Sequence, residues 1–203
     1  MNGSPIKRLT PAFFNRDPRR VARALLGKLL IRKIGRRRLV GRIVETEAYL
    51  GLGDAAAHAT AGKTARNAVL WGPPGRAYVY FIYGNHYCLN VSCLPDGVPG
   101  CVLFRALEPV EGIEEMADAR GVSLKKDSDL KKVSSGPGRM CEALGITRER
   151  DNGKDFVSSK SDLQLVDDGY SVRKVVVTKR VGITKSAEEP LRFLISDNLF
   201  VSR

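Results

Sequence analysis

The sequence predicts an α+β fold: a single mixed domain over residues 1–203, with a largely antiparallel curved sheet, flanking helices and a protruding β-hairpin. Two observations lead to this prediction. Apolar segments with strand periodicity come in pairs joined by short turns, and the helical segments between them are short. The length of 203 residues, 43% of them hydrophobic, suits one large domain with a sizeable core better than two small ones.

A short helix and a strand pair are predicted first. Asp17 is a suitable N-cap, Pro18 suits the first helical position, and residues 19–26 continue as a short helix. Residues 28–34 are largely apolar and strand-like, and residues 39–49 form a second strand after a basic turn. We therefore expect an antiparallel hairpin here.

An irregular segment and a second hairpin follow. Residues 51–74 show no regular period, and so long an irregular stretch within a compact domain is usually functional. Residues 77–83 are aromatic or aliphatic and carry no charge, which predicts a strong strand. Gly84 and Asn85 predict a tight turn, and residues 87–92 the returning strand.

The second half of the chain predicts strands and helices in alternation. The segment 101–107 is predicted to be a strand that Glu108 and Pro109 end. The further predictions are a helix over 111–120, a part-helical stretch over 127–133, a helix over 138–144 that starts from 134–137, a charged loop over 148–161, and strands over 163–166, 172–178 and 191–195.

The charge balance restricts the class of partner. Lys and Arg number 34 against 22 Asp and Glu, which gives a net charge of +12. Such a basic domain is typical of proteins that bind nucleic acid or anionic membranes; in the alternative, the charge only helps solubility. No apolar run approaches the ~20 residues of a membrane span, and residues 1–16 contain no apolar signal core. We therefore expect a monomeric, cytoplasmic protein that has a nucleic-acid partner and makes no membrane contact.

The four cysteines, Cys88, Cys93, Cys101 and Cys141, contain no Cys-x-x-Cys pair. Cys88 and Cys93 lie near His86, but this spacing matches no common zinc pattern. Buried strand thiols in a reducing compartment are the favoured interpretation, and no metal site is expected.

Two glutamates of the strand over 39–49 are the first candidates for chemistry. Glu45 and Glu47 are two positions apart, so a regular strand places them on one face, about 7 Å apart. Two nearby carboxylates are the usual equipment of enzymes that cut glycosidic bonds, whereas the alternative is a solvated strand face. Ile43 and Tyr49 share that face of a regular strand, which favours a partly buried site.

Four of the six tyrosines fall within ten residues of each other. Tyr78 and Tyr80 share one face of the strand over 77–83, and Tyr83 lies at the predicted hairpin tip. Aromatic side chains of a strand usually pack in a core. A hairpin tip is rarely core, however, and an aromatic there is suited to wedge between base steps of a duplex, while aromatics behind it stack on an extruded base.

Four polar residues complete the candidate set. Asn90 and Arg105 interrupt otherwise apolar strands. A buried Arg105 needs a carboxylate partner such as Glu47; the alternative is an edge arginine that reaches solvent. Arg66 in the irregular segment and Arg139 at the start of a predicted helix are candidate phosphate contacts.

These residues belong to motifs that are long and together cover most of the chain. The motifs are RIVETEAYLG at 42–51 with His58, the tyrosine strand through Gly84, Asn90, LFRALEP at 103–109, SGP at 135–137, RVG at 180–182 and PLRF at 190–193. The sequence thereby resembles the 3-methyladenine (alkyladenine) DNA glycosylase family. The resemblance implies a base-excision-repair enzyme that acts on double-stranded DNA with damaged purines and needs no metal or organic cofactor.

The resemblance also implies roles for the candidate residues. Glu47 is the general base that activates water, and Arg105 helps to hold that water. Tyr49, His58 and Tyr80 line the pocket for the flipped base, with the damaged purine stacked between Tyr49 and the side of His58.

Two further residues are implied to read the DNA. Tyr83 fills the gap left in the duplex, and Asn90 excludes a purine amino group such as that of guanine. No lysine replaces the water nucleophile among these residues, so the resemblance implies a monofunctional enzyme that leaves an abasic site. Glu45 is left with a structural role.

Two rival functions stay open at this point. One is a non-catalytic nucleic-acid-binding module on the same scaffold, against which the intact pair Glu47 and Arg105 argues. The other is a sugar hydrolase that uses Glu45 with Glu47. The net charge of +12 and Tyr83 at the hairpin tip argue against that reading, because a neutral sugar needs neither.

Overall fold

One sheet of nine strands dominates the computed structural model, which describes residues 6–202. The strands are β1 (Lys7–Arg8), β2 (Leu29–Ile34), β3 (Arg37–Tyr49), β4 (Ala77–Ile82), β5 (His86–Ser92), β6 (Cys101–Glu111), β7 (Leu163–Asp167), β8 (Val175–Thr178) and β9 (Arg192–Ile195). Within the described range every strand pairing is antiparallel. The order is β1-β7-β2-β3-β6-β5-β4, with β9 added to β3 and β8 to β9.

Six short α-helices accompany the sheet. They are α1 (Pro11–Phe14), α2 (Pro18–Leu25), α3 (Ile113–Ala119), α4 (Leu130–Ser134), α5 (Pro137–Ala143) and α6 (Arg148–Asp151). The helix α2 packs on β3, and α5 packs on β5. The side chain of Asp17 caps α2 by accepting from the N–H of Arg19 at 2.8 Å, as its position before Pro18 predicted. The predicted α+β domain with a curved antiparallel sheet, flanking helices and a hairpin is confirmed.

The central strand β3 pairs with three other strands of the sheet. Along one edge it pairs first with β2 and then, at Glu45–Glu47, with β9; along the other edge it pairs with β6. Its register with β6 shifts between Ile43 and Thr46, so strict alternation of side chains fails at this step. Ile43 is accordingly buried in the main hydrophobic cluster beside Val44 and does not share the face of the two glutamates as a regular strand predicted.

Several predicted boundaries were wrong around β6. This strand runs through Pro109 to Glu111, because the register with β3 shifts there and a proline is tolerated at such an irregularity. The helix predicted over 111–120 is therefore the shorter α3, which begins after Gly112 in a left-handed conformation.

The other differences concern short elements. The charged stretch 148–161, predicted as loop, begins with the single-turn helix α6, and α1 had no counterpart in the prediction. The irregular segment 51–74 contains only two 3-10 turns, at His58–Ala61 and Ala68–Trp71. The signal prediction used residues 1–16, of which residues 1–5 lie outside the described part.

The interior agrees with the composition. All four cysteines are buried and unpaired with one another, as expected for strand thiols. The main hydrophobic cluster joins α2, the central strands and α5. Between residues 6 and 202 no helix has the length and apolar character needed to span a bilayer.

Candidate active site

A cavity of about 290 Å³ lies where β3 ends and β6 begins, beside the hairpin of β4 and β5. Its volume is near the lower end of the range for small-molecule sites. Its wall is mainly aromatic and aliphatic, with a few polar groups. Six of the residues predicted to form the site line it together: Tyr49, His58, Tyr80, Tyr83, Asn90 and Arg105.

Glu47 lies directly behind the cavity wall. Its side chain is fully buried, and the three groups that bind its carboxylate belong to residues that do line the cavity. The Arg105 Nη1 atom is 3.2 Å from Oε1, the N–H of Val181 donates to Oε1 at 2.8 Å, and the Tyr49 hydroxyl donates to Oε2 at 3.1 Å. The predicted partnership of Glu47 with a buried Arg105 is therefore present in the structure.

Burial shapes the acid–base behaviour of Glu47. Desolvation raises the pKa of its carboxyl group; the nearby Arg105 and the hydrogen bonds from Val181 and Tyr49 oppose this rise without cancelling it. A carboxylate with a raised pKa is a stronger base than an ordinary glutamate carboxylate.

Glu45 occupies the other side of Arg105. Its carboxylate is fully buried and accepts from Arg105 Nε at 3.0 Å and from Arg192 Nε at 2.6 Å. The Ser202 N–H and hydroxyl donate to it at 2.6 and 3.0 Å. One guanidinium thus joins the two glutamates, and Glu45, which does not line the cavity, is bound entirely by other protein groups.

Tyr49 forms one aromatic wall, and a buried ion pair supports it. The Arg180 guanidinium lies 4.6 Å from the centroid of the Tyr49 ring. Arg180 binds both carboxylate oxygens of Asp54, at 2.5 and 2.8 Å, and donates to the carbonyl of Ala48 at 3.0 Å. Because Arg180 does not line the cavity, the opposite face of Tyr49 is the one available to a ligand.

The Asp54 carboxylate is ionised despite its burial. Desolvation opposes ionisation, but the bonds from Arg180 and from the N–H groups of Leu50 and Ala56 outweigh it and lower the pKa of Asp54. This pair also ties the loop after β3 to the segment that presents Val181 to Glu47. Gly51 is required in that loop, because a Cβ atom there would lie 2.0 Å from the carbonyl oxygen of Pro99.

His58 forms the second aromatic wall with Tyr80. The two ring centroids are 4.5 Å apart in an edge-to-face arrangement. His58 Nδ1 lies 2.8 Å from the Tyr78 hydroxyl. Burial and then the charge of Arg66 lower the pKa of His58, while burial raises the pKa of Tyr78 to about 12, so both groups are neutral at pH 7.

Asn90 lies on the floor of the cavity and is 2% exposed. Its Nδ2 donates to the carbonyl of Tyr78 at 3.1 Å, which fixes the orientation of the amide. The Cys101 thiol approaches Oδ1 at 3.8 Å. The side chain therefore has little freedom to make room for an additional group on a ligand.

The hairpin tip differs in detail from the prediction. Tyr83 is not the last strand residue; it occupies the turn with φ of 55°, and Gly84 follows with φ of 74°. Three residues, Tyr83–Asn85, form the turn, because Ile82 pairs with His86 and the N–H of Asn85 donates to the carbonyl of Ile82 at 3.4 Å. Tyr83 is 78% exposed, so this aromatic ring projects from the hairpin tip at the cavity mouth.

The two predicted phosphate contacts flank the cavity. Arg66 is exposed, lies 5.8 Å from the Tyr80 ring centroid and donates to the carbonyl of Phe81 at 3.3 Å. Arg139 is exposed on α5, immediately after Gly138, which lines the cavity. Both arginines are therefore exposed and lie close to residues that line the cavity.

Sequence reasoning missed four contributors to the site. They are Asp54 and Arg180, which support Tyr49; Val181, whose N–H donates to Glu47; and Tyr78, whose hydroxyl hydrogen-bonds His58. RVG at 180–182 was noted only as a family motif, and its local sequence carries no sign of which side chain it meets. Among residues 6–202, no cluster of three His, Cys, Asp or Glu side chains is arranged to hold a metal ion.

An aromatic cavity of this size, with a buried carboxylate–guanidinium pair behind it and a projecting ring beside it, is suited to hold one planar group. The family model described as Methylpurine-DNA glycosylase (MPG) matches residues 12–199. The chain therefore belongs to the methylpurine-DNA glycosylase family.

Individual relatives support this membership. A protein of Koribacter versatilis is 62% identical over 205 residues, which cover 100% of this chain and 98% of the relative. Proteins of Methanocella arvoryzae and Desulfitobacterium hafniense are 47% and 43% identical, over 89% and 97% of this chain and 86% and 99% of their own lengths. Each of the three bears the name "Putative 3-methyladenine DNA glycosylase".

Proposed function

We propose that this protein is a monofunctional DNA glycosylase that excises alkylated or deaminated purines, such as 3-methyladenine and hypoxanthine, from duplex DNA. The observation that carries the proposal is the buried Glu47–Arg105 pair directly behind an aromatic cavity. Family membership and the names of the relatives support the same activity. The protein acts as a monomer on this proposal.

The damaged base is taken out of the duplex and into the cavity. Flipping costs a few kcal/mol, and less for a base that is mispaired, which favours damaged sites. The purine stacks between Tyr49 and the side of His58 and Tyr80, while Tyr83 occupies the space left between the neighbouring base pairs. Asn90, whose amide is fixed, excludes a purine that carries the amino group of guanine.

His58 offers the base a defined donor. On this proposal the Tyr78 hydroxyl, which keeps its proton, is the donor to Nδ1 of the neutral imidazole. The imidazole proton then resides on Nε2 and is available to a purine acceptor. Tyr78 is thus assigned to hold His58 in one tautomer.

The chemical step is hydrolysis of the N-glycosidic bond. Glu47 removes a proton from a water molecule that Arg105 helps to hold, and the water oxygen bonds to the sugar carbon C1′. The bond from C1′ to the purine nitrogen breaks, and its electron pair leaves with the base. The ionised Glu47 also stabilises the oxocarbenium-like sugar.

The state of the leaving base determines how much help it needs. An alkylated purine is cationic and departs as a neutral molecule. A neutral deaminated purine needs protonation before it leaves. The Glu47 carboxylate has no exposed surface, so on this proposal water reaches it only when one of the groups that cover it moves aside.

The test is release of free base from a duplex oligonucleotide that contains hypoxanthine or 3-methyladenine. We expect release by the unaltered protein and none above background by Glu47→Gln, while Glu111→Gln, a matched change at an exposed carboxylate, retains full activity. Release that survives Glu47→Gln contradicts the role of Glu47. Tight binding to damaged duplex without release favours the non-catalytic binding module.

A second assay tests the nucleophile. A water nucleophile leaves an intact strand with an abasic site, whereas an amine nucleophile forms an imine that borohydride traps. We therefore expect no borohydride-dependent crosslink between protein and DNA. A trapped adduct would contradict the monofunctional assignment.

A further inference from the structure

The last described residues of the chain reach the rear of the Glu47–Arg105 pair. Ser202 is 7% exposed, and its N–H donates to Glu45 Oε2 at 2.6 Å. Its hydroxyl donates to Glu45 Oε1 at 3.0 Å and accepts from Arg105 Nη2 at 3.3 Å. One serine therefore supplies two of the four hydrogen bonds that Glu45 accepts and one partner of Arg105.

Contacts on both sides hold this segment, residues 198–202, in place. Arg192 Nη2 donates to the carbonyl of Ser202 at 2.9 Å. The Ser135 hydroxyl donates to the carbonyl of Val201 at 3.3 Å, and Asn198 Nδ2 donates to Glu108 Oε2 at 3.1 Å. The segment is thus anchored to β9, to the start of α5 and to β6.

Arg105 is fixed from behind by these contacts. Its Nε binds Glu45 and its Nη2 binds Ser202, which leaves Nη1 directed to Glu47 at 3.2 Å. A planar guanidinium held at two of its three nitrogens has one orientation, so the third nitrogen is placed without further contacts. Glu45, Glu47, Arg105 and Arg192 carry two charges of each sign, which balances the buried group.

We propose that Ser202 is a positioning residue for base excision: through Glu45 it holds Arg105 in the orientation that serves Glu47 and its water. The proposal rests on the function proposed above and gives Glu45 a definite role in it. Neither Ser202 nor Glu45 lines the cavity, so neither touches the base. Their influence on the reaction passes through Arg105, and loss of the contact shifts Arg105 while leaving the base-binding walls intact.

The test compares substitutions that remove one donor and then both. Ser202→Ala removes the hydroxyl, Ser202→Pro removes the hydroxyl together with the backbone N–H, and Ser202→Thr retains both. Ser196→Ala is the matched control, because within residues 6–202 the Ser196 hydroxyl donates to the exposed Asp197 and has no hydrogen bond to the buried group. For each variant we measure the single-turnover excision rate, the dissociation constant for duplex with a tetrahydrofuran abasic-site analogue, and the thermal unfolding midpoint.

We expect the excision rate to fall about 10-fold for Ser202→Ala and about 100-fold for Ser202→Pro, since misplacement of a catalytic group by about 1 Å costs rate on this scale. Ser202→Thr and Ser196→Ala retain the rate within about twofold, and DNA binding is unchanged in all four variants. The acid limb of the rate profile moves to higher pH in Ser202→Ala, because Arg105 lowers the pKa of Glu47 and is displaced.

The pH readout separates positioning from a structural role. The groups that face Glu47 are Arg105 on β6, Val181 between β8 and β9, and Tyr49 and Glu45 on β3. Ser202 hydrogen-bonds Arg105 and Glu45, whereas the bonds from Val181 and Tyr49 to Glu47 do not involve it. Unaltered rate and pH profile in Ser202→Ala overturn the proposal, as does a rate loss that equals a loss of DNA binding. If the unaltered protein excises no base, the proposed function fails instead.

Discussion

The reaction proposed for this protein depends on whether Glu47 is ionised at the working pH. Its carboxyl group is buried without exposed surface, which by itself favours the neutral form. Arg105 and two hydrogen bonds stabilise the ionised form, but less than burial destabilises it, so the pKa of Glu47 remains above the ordinary range for glutamate. The basicity that this confers is useful to a group that must take a proton from water.

A measurable pH dependence follows from the raised pKa. A carboxyl group with a raised pKa is protonated at pH values where an ordinary glutamate is ionised, so base removal fails early as the pH falls. The single-turnover excision rate for an alkylated purine, whose departure needs no added proton, is expected to decline with a midpoint above the ordinary glutamate range. The pH series is run with saturating enzyme.

Tyr49→Phe provides the control for that assignment. The substitution keeps the stacking ring and removes the hydroxyl that donates to Glu47 Oε2. Because this bond lowers the pKa of Glu47, its loss moves the midpoint to still higher pH. A midpoint in the ordinary range, or one that Tyr49→Phe lowers, would assign the acid limb to another group.

At the scale of the element, the hairpin of β4 and β5 stores strain at the point where it projects. Tyr83 has a φ of 55°, which a bulky side chain rarely adopts and which costs on the order of 1–3 kcal/mol. Gly84 adopts the same region without penalty. A strained, exposed aromatic in this turn supports a role in contact with DNA, because it contributes nothing to the core.

Tyr83→Asn separates the strain from the function. Asparagine tolerates positive φ better than tyrosine, so the unfolding midpoint is expected to stay constant or rise. Excision from damaged duplex is expected to fall about tenfold or more, while excision from a single strand changes less, because only a duplex leaves a gap to fill.

Ile34→Asn at the other hairpin is the matched control for the wedge. Ile34 is also an exposed apolar residue, 39% exposed, but it ends β2 and pairs with Arg37 at the start of β3, whereas the cavity lies where β3 ends. Its substitution is expected to leave excision from both substrates unaltered. Equal activity of Tyr83→Asn and the unaltered protein on duplex would contradict the proposed insertion of Tyr83 between base pairs.

Elements of regular pattern could be predicted from the sequence, whereas contacts between distant segments could not. The capped helix α2, the strand pairs and the aromatic strand β4 follow from local signals, and they bring Glu47, Tyr80 and Arg105 to one place. The shift of register inside β3 has no local signal, so Ile43 was assigned to the wrong face. Single-turn helices such as α6 lack a period long enough to detect.

Buried ion pairs between distant segments could not be predicted from the sequence. Arg32 meets Asp151, and Arg180 meets Asp54, across large separations in sequence, with both partners almost without exposed surface. In the sequence each is one charged residue among many. Only the folded chain shows that these arginines are buried in ion pairs with carboxylates and are therefore not available to a ligand.

For the molecule as a whole, these pairings decide where the net charge of +12 resides. The buried arginines Arg32, Arg105 and Arg180 each face at least one buried carboxylate, so they contribute little net field outside. The excess positive charge is therefore carried by exposed Lys and Arg side chains, which is where it can attract phosphates. Arg66 and Arg139 place part of it beside the cavity.

Salt dependence tests whether that placement matters. The logarithm of the affinity for undamaged duplex is expected to fall linearly with the logarithm of salt concentration, with a slope of about −0.9 for each neutralised phosphate. Arg66→Gln and Arg139→Gln are each expected to make the slope shallower by about 0.9. Arg37→Gln is the matched control: Arg37 begins β3, about 40 Å along the strand from Tyr49, and its removal should leave the slope unchanged. If all three variants shift the slope equally, DNA binds over the whole basic surface, and the arginines at the cavity mouth have no special part in placing it.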